Sequence, residues 1–226
     1  MIKSKIRNFI YDYIYIPLFF FLVYFRDLRR MKRVFGEFER LNRRDQRKYT
    51  LVFSNESKNV CGFLGPEIVK MVLDLKLNPE RILLDGDNKS VTEQIKGRFN
   101  FRSADVLTTG IEGDYDYIWN FEDDCPENMP RDFDLIVSQA MFEHLIDPFK
   151  HFEDLSKLLK RGGYLVIHSH LPGYTYHRYP IDAVRFFPDW FEFSAKKTGL
   201  KVKRKFMRDF HLIYLFCFPT SDVGKQ

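Results

Sequence analysis

The sequence predicts an α/β fold in which helices flank a mostly parallel sheet. Two short apolar runs, Phe133 to Val137 and Tyr164 to Ile167, are bounded by charged residues or glycine, as expected of strands buried on both faces. Between these runs, apolar residues recur at spacings of three and four, which is typical of an amphipathic helix. Gly162-Gly163 supplies a left-handed stop between this helix and the second strand.

The same patterns predict the other elements in chain order. Pro66 opens a helix whose apolar face includes Ile68 and Val72. Further helices are expected from Val91 to Phe99 and from Trp190 to Gly199. The remaining strands are expected at 81–84, at 99–106 with Asp105 at its end, from Tyr115 onward, and at 202–207 and 212–218 as an antiparallel closing pair. This makes seven strands, and a further short strand is predicted at 50–53.

Residues 133–167, FDLIVSQAMFEHLIDPFKHFEDLSKLLKRGGYLVI, resemble the later half of a class I S-adenosylmethionine (SAM) methyltransferase. A strand with a polar tip, an EH turn at Glu143-His144, a helix and a K-x-GG-x-L turn follow one another in the family's order. The resemblance implies a Rossmann-like fold of seven strands, SAM as the cofactor, and methyl transfer as the reaction.

The resemblance places the methionine part of SAM at the turn after the first predicted strand. The family's G-x-G-x-G motif is reduced here to Asp85-Gly86-Asp87-Asn88, with Asn88 in the place of the second glycine. Asparagine tolerates left-handed backbone angles better than most residues, so the turn is expected to keep its path. Gly86, Asp87 and Asn88 are candidate cofactor contacts, and Asp85 is a candidate ligand for the ammonium group. A turn that has lost cofactor binding is the alternative.

Further cofactor contacts are implied at the next strand ends. Asp105 matches the acid that binds both ribose hydroxyls, unless it is a solvated turn residue. Asn120 replaces the acid that receives the adenine amino group, and its side-chain carbonyl can accept the same hydrogen bond. Phe121 would supply the adjacent amide and an apolar wall. Ser138 and Gln139 close the fourth strand at its carboxyl end, where open α/β sheets place their ligands.

The segment after the fifth strand carries the candidate catalytic groups. From His177 to Pro188 it resembles the H-x-x-P-x-D-x-x-R-F/Y-x-P segment of methyltransferases from bacterial glycan clusters. Transfer to a hydroxyl needs a base for the departing proton, a role that suits histidine. The candidate bases are His170 and His177, Asp182 would orient the base or hold a sugar hydroxyl, and His144 has either a catalytic or a structural role. The candidate acceptor contacts are Tyr176, Arg178 and Arg185, the alternative being a clamp between Asp182 and Arg185 that only orders the loop.

No metal is expected. Relatives similar to the ubiquinone-pathway O-methyltransferases carry an extra acid three residues before the EH glutamate, and this chain has Ala140 there. Cys61, Cys125 and Cys217 also lack metal-site spacing, so reduced thiols in a cytoplasmic protein are expected.

The basic character of the chain is local. Residues 1–48 contain 13 Lys and Arg against 5 Asp and Glu, a net charge of +8, whereas the whole chain carries +5. A nucleic-acid enzyme would more often spread its basic residues around a cleft, so no nucleic-acid partner is expected.

Residues 1–48 form a predicted basic and aromatic helical extension, which precedes a methyltransferase domain at 49–219 and a flexible tail at 220–226. Residues 9–25 are apolar and aromatic, but they are shorter than the ~20 residues that a spanning helix needs. One interpretation is a peripheral anchor through residues 1–33 on the inner face of the membrane. The other is a helix packed on the catalytic domain or on a second subunit, which would give a homo-oligomer.

These features predict a SAM-dependent O-methyltransferase that acts on a sugar hydroxyl of a surface glycan or of a lipid-linked saccharide. One alternative is a small lipid or quinone acceptor. Another is a non-catalytic scaffold in a membrane-associated complex for glycan synthesis.

Overall fold

The computed structural model describes residues 50–52, 66–174, 181–208 and 210–219, together with Leu22, Phe25, Arg26, Arg29 and Arg33. The chain divides into two compact units, residues 1–49 and residues 50–226. The five described residues of the first unit are helical and exposed. The rest of the predicted extension and the tail at 220–226 lie outside the described residues. Among the helices described, none combines the length and the apolar character needed to cross a membrane.

The second unit is built on one eight-stranded sheet. Its strands are β1 Thr50–Val52, β2 Arg81–Asp85, β3 Asp105–Gly110, β4 Tyr117–Ile118, β5 Phe133–Gln139, β6 Leu159–His170, β7 Lys201–Arg208 and β8 His211–Cys217. Their order across the sheet is β1-β7-β8-β6-β5-β2-β3-β4. Strand β8 is antiparallel to β6 and β7, and the other neighbouring strands are parallel. This confirms the predicted sheet of seven strands, to which β1 adds an eighth at the edge.

Successive side chains of a strand point to opposite faces of the sheet, and the central strands are apolar on both faces. Helices therefore cover both faces. The helices are α1 Pro66–Leu73, α2 Thr92–Phe99, α3 Pro148–Leu158 and α4 Pro188–Thr198. Helices α1 and α2 share a buried core with alternate residues of β2, β5 and β8. On the other face, Phe152 of α3 contacts Phe216, and Phe191 of α4 contacts Tyr214. The ring centroids are 5.2 Å apart in each pair.

The prediction of a second strand at 99–106 is wrong. Helix α2 extends to Phe99 and is capped by Asn100, whose φ of 57° is left-handed. Phe99 and Phe101 are buried, and their rings stack at 5.5 Å, so this aromatic run closes a turn over the core. Strand β3 only begins at Asp105, which therefore lies at the amino end of the strand and not at the carboxyl end.

The junction after α3 also differs from the prediction. Helix α3 ends at Leu158 and β6 begins at once, so Gly162-Gly163 lies inside the strand. Gly162 has the left-handed φ of 81° that was expected of it. A Cβ on Gly163 would lie 2.7 Å from the carbonyl oxygen of Phe133, so only glycine allows β5 and β6 to approach so closely.

Candidate cofactor site

A cavity of about 520 Å³ opens at the carboxyl ends of β2, β3 and β5. Strand β2 lies between β3 and β5, so the direction in which the chain adds strands reverses there. Open α/β sheets bind their ligands at such a switch point, and the volume is within the roughly 300–1,000 Å³ of small-molecule sites. The cavity is lined by Gly86, Gly110, Ile111, Glu112, Tyr115, Asn120, Phe121, Glu122, Gln139, Ala140, Met141, His144, Leu145, Ile146 and Ile181.

Gly86 makes the sharp turn after β2. Its φ is 85°, and its N–H donates to the carbonyl of Thr109 at 3.0 Å. A Cβ here would lie 3.2 Å from Cγ of Met141. The backbone angle and the close neighbour both favour glycine, so the one glycine that this motif retains is the one that shapes the turn.

Asp85 lies beneath the turn and is fully buried. One carboxylate oxygen lies 3.0 Å from Nε2 of His151, and the other accepts a hydrogen bond from the hydroxyl of Thr109 at 3.2 Å. Since both oxygens are engaged inside the protein, we do not retain the prediction that Asp85 binds the ammonium group of SAM. The sequence analysis missed His151, because a lone histidine on the apolar face of a helix gives no signal of its partner.

Asp87 lies in the same turn, but unlike Asp85 it has a carboxylate oxygen without a hydrogen-bond partner among the described residues. This oxygen, Oδ2, is shielded from solvent. Burial, together with the nearby charge of Asp85, raises the pKa of Asp87 to about 7. A shielded carboxylate without a partner is costly, so a cationic group of a ligand would be stabilised beside it.

Asn88 does not have the left-handed backbone that we predicted. Its φ of −82° and ψ of 169° are extended, and its side chain accepts a hydrogen bond from the N–H of Ser90 at 3.0 Å. Asn88 thereby caps the short 3-10 turn Lys89–Val91, which leads into α2. Its contact with the cofactor stays a prediction.

Asp105 lies at the wrong edge of the sheet to bind the ribose. It begins β3, its side chain is 56% exposed, and its Oδ2 lies 3.4 Å from Nε of Arg81. The cavity lies at the other end of the strand, where Glu112 follows Gly110 and lines it. The β-branched run before Gly110 was the available signal for this strand, but the aromatic run at 99–101 was mistaken for its beginning.

Asn120 and Phe121 both line the cavity. The Oδ1 atom of Asn120 accepts a long hydrogen bond of 3.4 Å from the N–H of Glu122, and a carbonyl oxygen has a second lone pair for a ligand. Phe121 is buried, with its ring edge-on to Trp119 at 5.5 Å. Their contacts with adenine stay predictions.

Ser138 and Gln139 differ in their surroundings. Gln139 ends β5 and lines the cavity, whereas Ser138 is fully buried and is not among the lining residues. The chain then leaves the strand sharply at Ala140, whose φ is 49° and whose N–H donates to the carbonyl of His168 at 2.9 Å. This turn brings the EH segment over the end of the sheet.

Glu143 is a fully buried carboxylate with two partners. Its Oε1 lies 2.5 Å from Nδ1 of His170, and its Oε2 accepts a hydrogen bond from the hydroxyl of Ser169 at 2.7 Å. Burial alone would raise its pKa, but the hydrogen bond and charge of His170 and the hydrogen bond of Ser169 lower the pKa of Glu143 to about 2. Its backbone carbonyl also accepts from Ala183 and Val184, at 2.8 and 3.1 Å, and so anchors the loop after β6.

Among the histidines that the structure describes, His144 is the one that lines the cavity. Its Nδ1 contacts the carbonyl oxygen of Ile181, which assigns the ring proton to Nδ1 and makes Nε2 the basic nitrogen. That Nε2 lies 4.0 Å from Oε1 of Glu143. By contrast, His170 is buried outside the lining, with its ring stacked on Tyr174 at 3.8 Å.

The described part of the loop after β6 contains the clamp that the sequence analysis left as an alternative. Both terminal guanidinium nitrogens of Arg185, Nη1 and Nη2, contact the carboxylate of Asp182, with Nη2 2.5 Å from Oδ2. Asp182 therefore pairs with Arg185. The other predicted residues of this loop, Tyr176, His177 and Arg178, lie outside the described residues.

Comparison with known proteins agrees with this fold. Residues 89–167 match the family described as methyltransferase domain. The fold is similar to that of a SAM-dependent methyltransferase from Aquifex aeolicus, with a TM-score of 0.51 and 14% identity over 66% of this chain and 89% of that chain. The second unit therefore has the fold of the class I SAM-dependent methyltransferases, and residues 89–167 match a methyltransferase domain.

A second solved structure, a TehB-like SAM-dependent methyltransferase from Corynebacterium glutamicum, is 20% identical to this chain. The structural match covers 66% of this chain and 86% of the Corynebacterium glutamicum chain, with a TM-score of 0.49. No curated protein matches the chain.

The residues in and beside the cavity fit SAM as the cofactor. Asp87 is not among the lining residues, but it directly follows Gly86, and its unpartnered oxygen suits the ammonium group. The turn at Gly86 lets the backbone pass close to a ligand. Glu112 supplies an acid at the carboxyl end of β3, and Asn120 with Phe121 supplies an acceptor and an apolar wall. The one glycine that remains is therefore compatible with cofactor binding.

Proposed function

We propose that this methyltransferase methylates a hydroxyl of a saccharide, with His144 as the general base. The observation that carries the proposal is that His144 lines the same cavity as Gly86 and Gln139. Because Ile181 engages Nδ1, the nitrogen that can take a proton is Nε2. His144 thus replaces His170, which is buried outside the lining, as the candidate base.

The chemistry requires only a proton acceptor and correct alignment from the protein. When bound, SAM supplies a methyl group on a positively charged sulfur. Nε2 of His144 would take the hydroxyl proton as the acceptor oxygen receives the methyl group, so the products would be a methyl ether and S-adenosylhomocysteine. The carboxylate of Glu143, 4.0 Å from Nε2, stabilises the charge that the imidazole gains. General-base catalysis of this kind contributes roughly 100- to 10,000-fold to the rate.

The loop after β6 supports a saccharide as the acceptor. Its sequence from His177 to Pro188 resembles that of glycan-cluster methyltransferases, and its described part is anchored beside the base. Ala183 and Val184 donate to the carbonyl of Glu143, and Phe186 donates to the carbonyl of His170 at 3.0 Å. Tyr176 and Arg178 stay predicted acceptor contacts in this loop.

The acceptor class is tested by incubating the protein with labelled SAM and a panel of sugar nucleotides, oligosaccharides and lipid extracts. The proposal predicts a gain of one methyl group on an oxygen of a saccharide, located by mass fragmentation. Methylation confined to a quinone or a small lipid would contradict the saccharide acceptor. Methylation on nitrogen or carbon would contradict the hydroxyl acceptor.

We further propose that the basic N-terminal extension places the enzyme on an anionic membrane surface. Arg26, Arg29 and Arg33 are exposed on helical backbone, and a basic side chain near such a surface contributes about 1 kcal/mol. The full chain with these three residues changed to Glu should bind vesicles of anionic lipid at least ~10-fold more weakly than the wild type. Equal binding of the two proteins would contradict the proposal.

A further inference from the structure

Strands β6 and β8 bring three histidines together outside the cofactor cavity. His168 and His170 are two residues apart in β6, so their side chains point to the same face of the sheet. His211 is paired with His170 across the antiparallel ladder and therefore shares that face. One ring nitrogen from each histidine lies within 4.8 Å of the other two. The closest pair, Nε2 of His168 and Nδ1 of His211, is 3.0 Å apart.

Hydrophobic packing does not account for this cluster. All three side chains are buried, with His211 the most exposed at 7%. The Nδ1 atom of His168 is shielded from solvent and lacks a hydrogen-bond partner within the described part of the chain. Burying polar nitrogens costs free energy unless each is satisfied, and leucine would fill the same space without that cost.

Glu143 lies beside the cluster and contacts one of its histidines, as carboxylates commonly do in metal sites. Its Oε1 lies 2.5 Å from Nδ1 of His170. In metal sites, a carboxylate on one ring nitrogen fixes the tautomer, orients the ring and makes the other nitrogen a better ligand. By this reasoning, His170 would bind a metal through Nε2.

We propose that His168, His170 and His211 bind a divalent transition metal of the Zn²⁺ class. Zinc–nitrogen bonds of about 2.0–2.1 Å place the nitrogens of a tetrahedral site roughly 3.3 Å apart, so the nitrogens, now within 4.8 Å of one another, would adjust to this spacing on metal binding. Three imidazoles suit Zn²⁺, Co²⁺, Ni²⁺ or Cu²⁺ and leave one coordination position open. The proposal reverses the expectation of no metal, which considered only the acid near Glu143 and the spacing of the cysteines.

The proposed metal would brace the loop after β6, whose residue Ile181 lines the cofactor cavity. It would join the end of β6 to the beginning of β8, where Leu171 already donates to the carbonyl of Phe210 at 2.7 Å. The carbonyl of His170 in turn accepts from Phe186 of the loop at 3.0 Å. None of the three histidines lines the cofactor cavity, so the site is separate from the position of SAM and does not rest on the proposed acceptor.

The test uses the full chain, stripped with a chelator and titrated with Co²⁺ and then Zn²⁺. The proposal predicts one metal per chain, with the visible absorption of tetrahedral Co²⁺, displaced by Zn²⁺. Changing His168→Leu or His211→Leu should abolish this spectrum, and Glu143→Gln should weaken Zn²⁺ binding about 10- to 100-fold. The control His144→Gln alters a histidine outside the cluster and should retain one metal per chain.

Two results would overturn the proposal. The first is wild-type protein that binds no metal, or that shows only the octahedral spectrum of surface-bound Co²⁺. The second is a leucine variant that keeps the wild-type stoichiometry and spectrum. The wild-type titration decides the matter even if both leucine variants fail to fold.

Discussion

Nε2 of His151 lies 3.0 Å from Oδ2 of Asp85, in a fully buried contact between helix α3 and the turn that begins the cofactor site. The rings of Trp119, Phe121 and Phe142 surround His151, with centroids 4.7 to 5.5 Å from its own. The contact supports the end of β2 from beneath, directly before Gly86. A residue from the later half of the domain therefore helps to place the turn from the earlier half.

Replacing His151 by Leu should lower the free energy of unfolding by about 3 kcal/mol or more. The change leaves the carboxylate of Asp85 buried without its ring partner, and breaking one side of a buried pair costs about 3–5 kcal/mol. Urea denaturation of the purified variant measures the loss.

Lys157→Ala provides the matched control on the same helix. Lys157 pairs with Glu153 at 2.8 Å, but both side chains are about half exposed. An exposed pair contributes about 1 kcal/mol or less, so this variant should be close to the wild type. Similar losses of unfolding free energy in the two variants would show that the buried contact stabilises the domain no more than the exposed pair does.

The affinity for SAM should rise with pH because of Asp87. The pKa of this carboxyl is raised to about 7, first by burial and then by Asp85, so it is mostly protonated at pH 6 and mostly ionised at pH 7.5. Only the ionised form attracts the ammonium group, so the affinity should increase roughly five- to tenfold over this range. Calorimetric titration at the two pH values measures the change.

Asp87→Asn should bind SAM weakly and without this pH dependence. Methylthioadenosine, which lacks the ammonium group, serves as the control ligand, and its affinity for the wild type should be the same at both pH values. An equal pH dependence for the two ligands would assign the titration to another group.

Glu112→Gln should weaken SAM binding about tenfold, whereas Asp105→Asn should leave it within about twofold. Hydrogen bonds to a charged group contribute about 1.5–3 kcal/mol, and Glu112 is the acid that lines the cavity at the end of β3. Asp105 faces Arg81 at the opposite end of that strand. If Asp105→Asn proved the more damaging change, our placement of the ribose would be wrong.

The error at Asp105 shows what the sequence could and could not reveal. Buried strands such as β5 are clear from their apolar runs, and the parallel order follows from the alternation of strands and helices. The beginning of β3 was misplaced because Phe99 and Phe101 resemble strand residues, whereas they are core residues around a left-handed cap at Asn100. Local patterns do not distinguish these cases.

Long-range partners lie equally beyond the sequence. Nothing in the sequence around Asp85 indicates that it meets His151, 66 positions later. Likewise, the pairing of His211 with the two histidines of β6 depends on the antiparallel register of β8, which sequence periodicity does not give. The turn at Gly86 and the lining role of Gln139 could be anticipated, because ligands lie at the carboxyl ends of parallel strands.

With a methylated acceptor in hand, His144→Gln should lower turnover about 100-fold or more, the usual value of a general base. Glutamine keeps a similar size but cannot take the proton. The affinity of this variant for SAM should stay within about threefold of the wild type, since His144 acts on the acceptor. Turnover close to that of the wild type would exclude His144 as the base.

We infer that the cavity above Gly86 binds SAM although its turn has lost the other glycines. Calorimetric titration of the full chain with SAM decides this. It should show saturable binding of one SAM per chain, lost when adenosine competes for the cavity and weakened by Glu112→Gln. No detectable binding at millimolar SAM would contradict it.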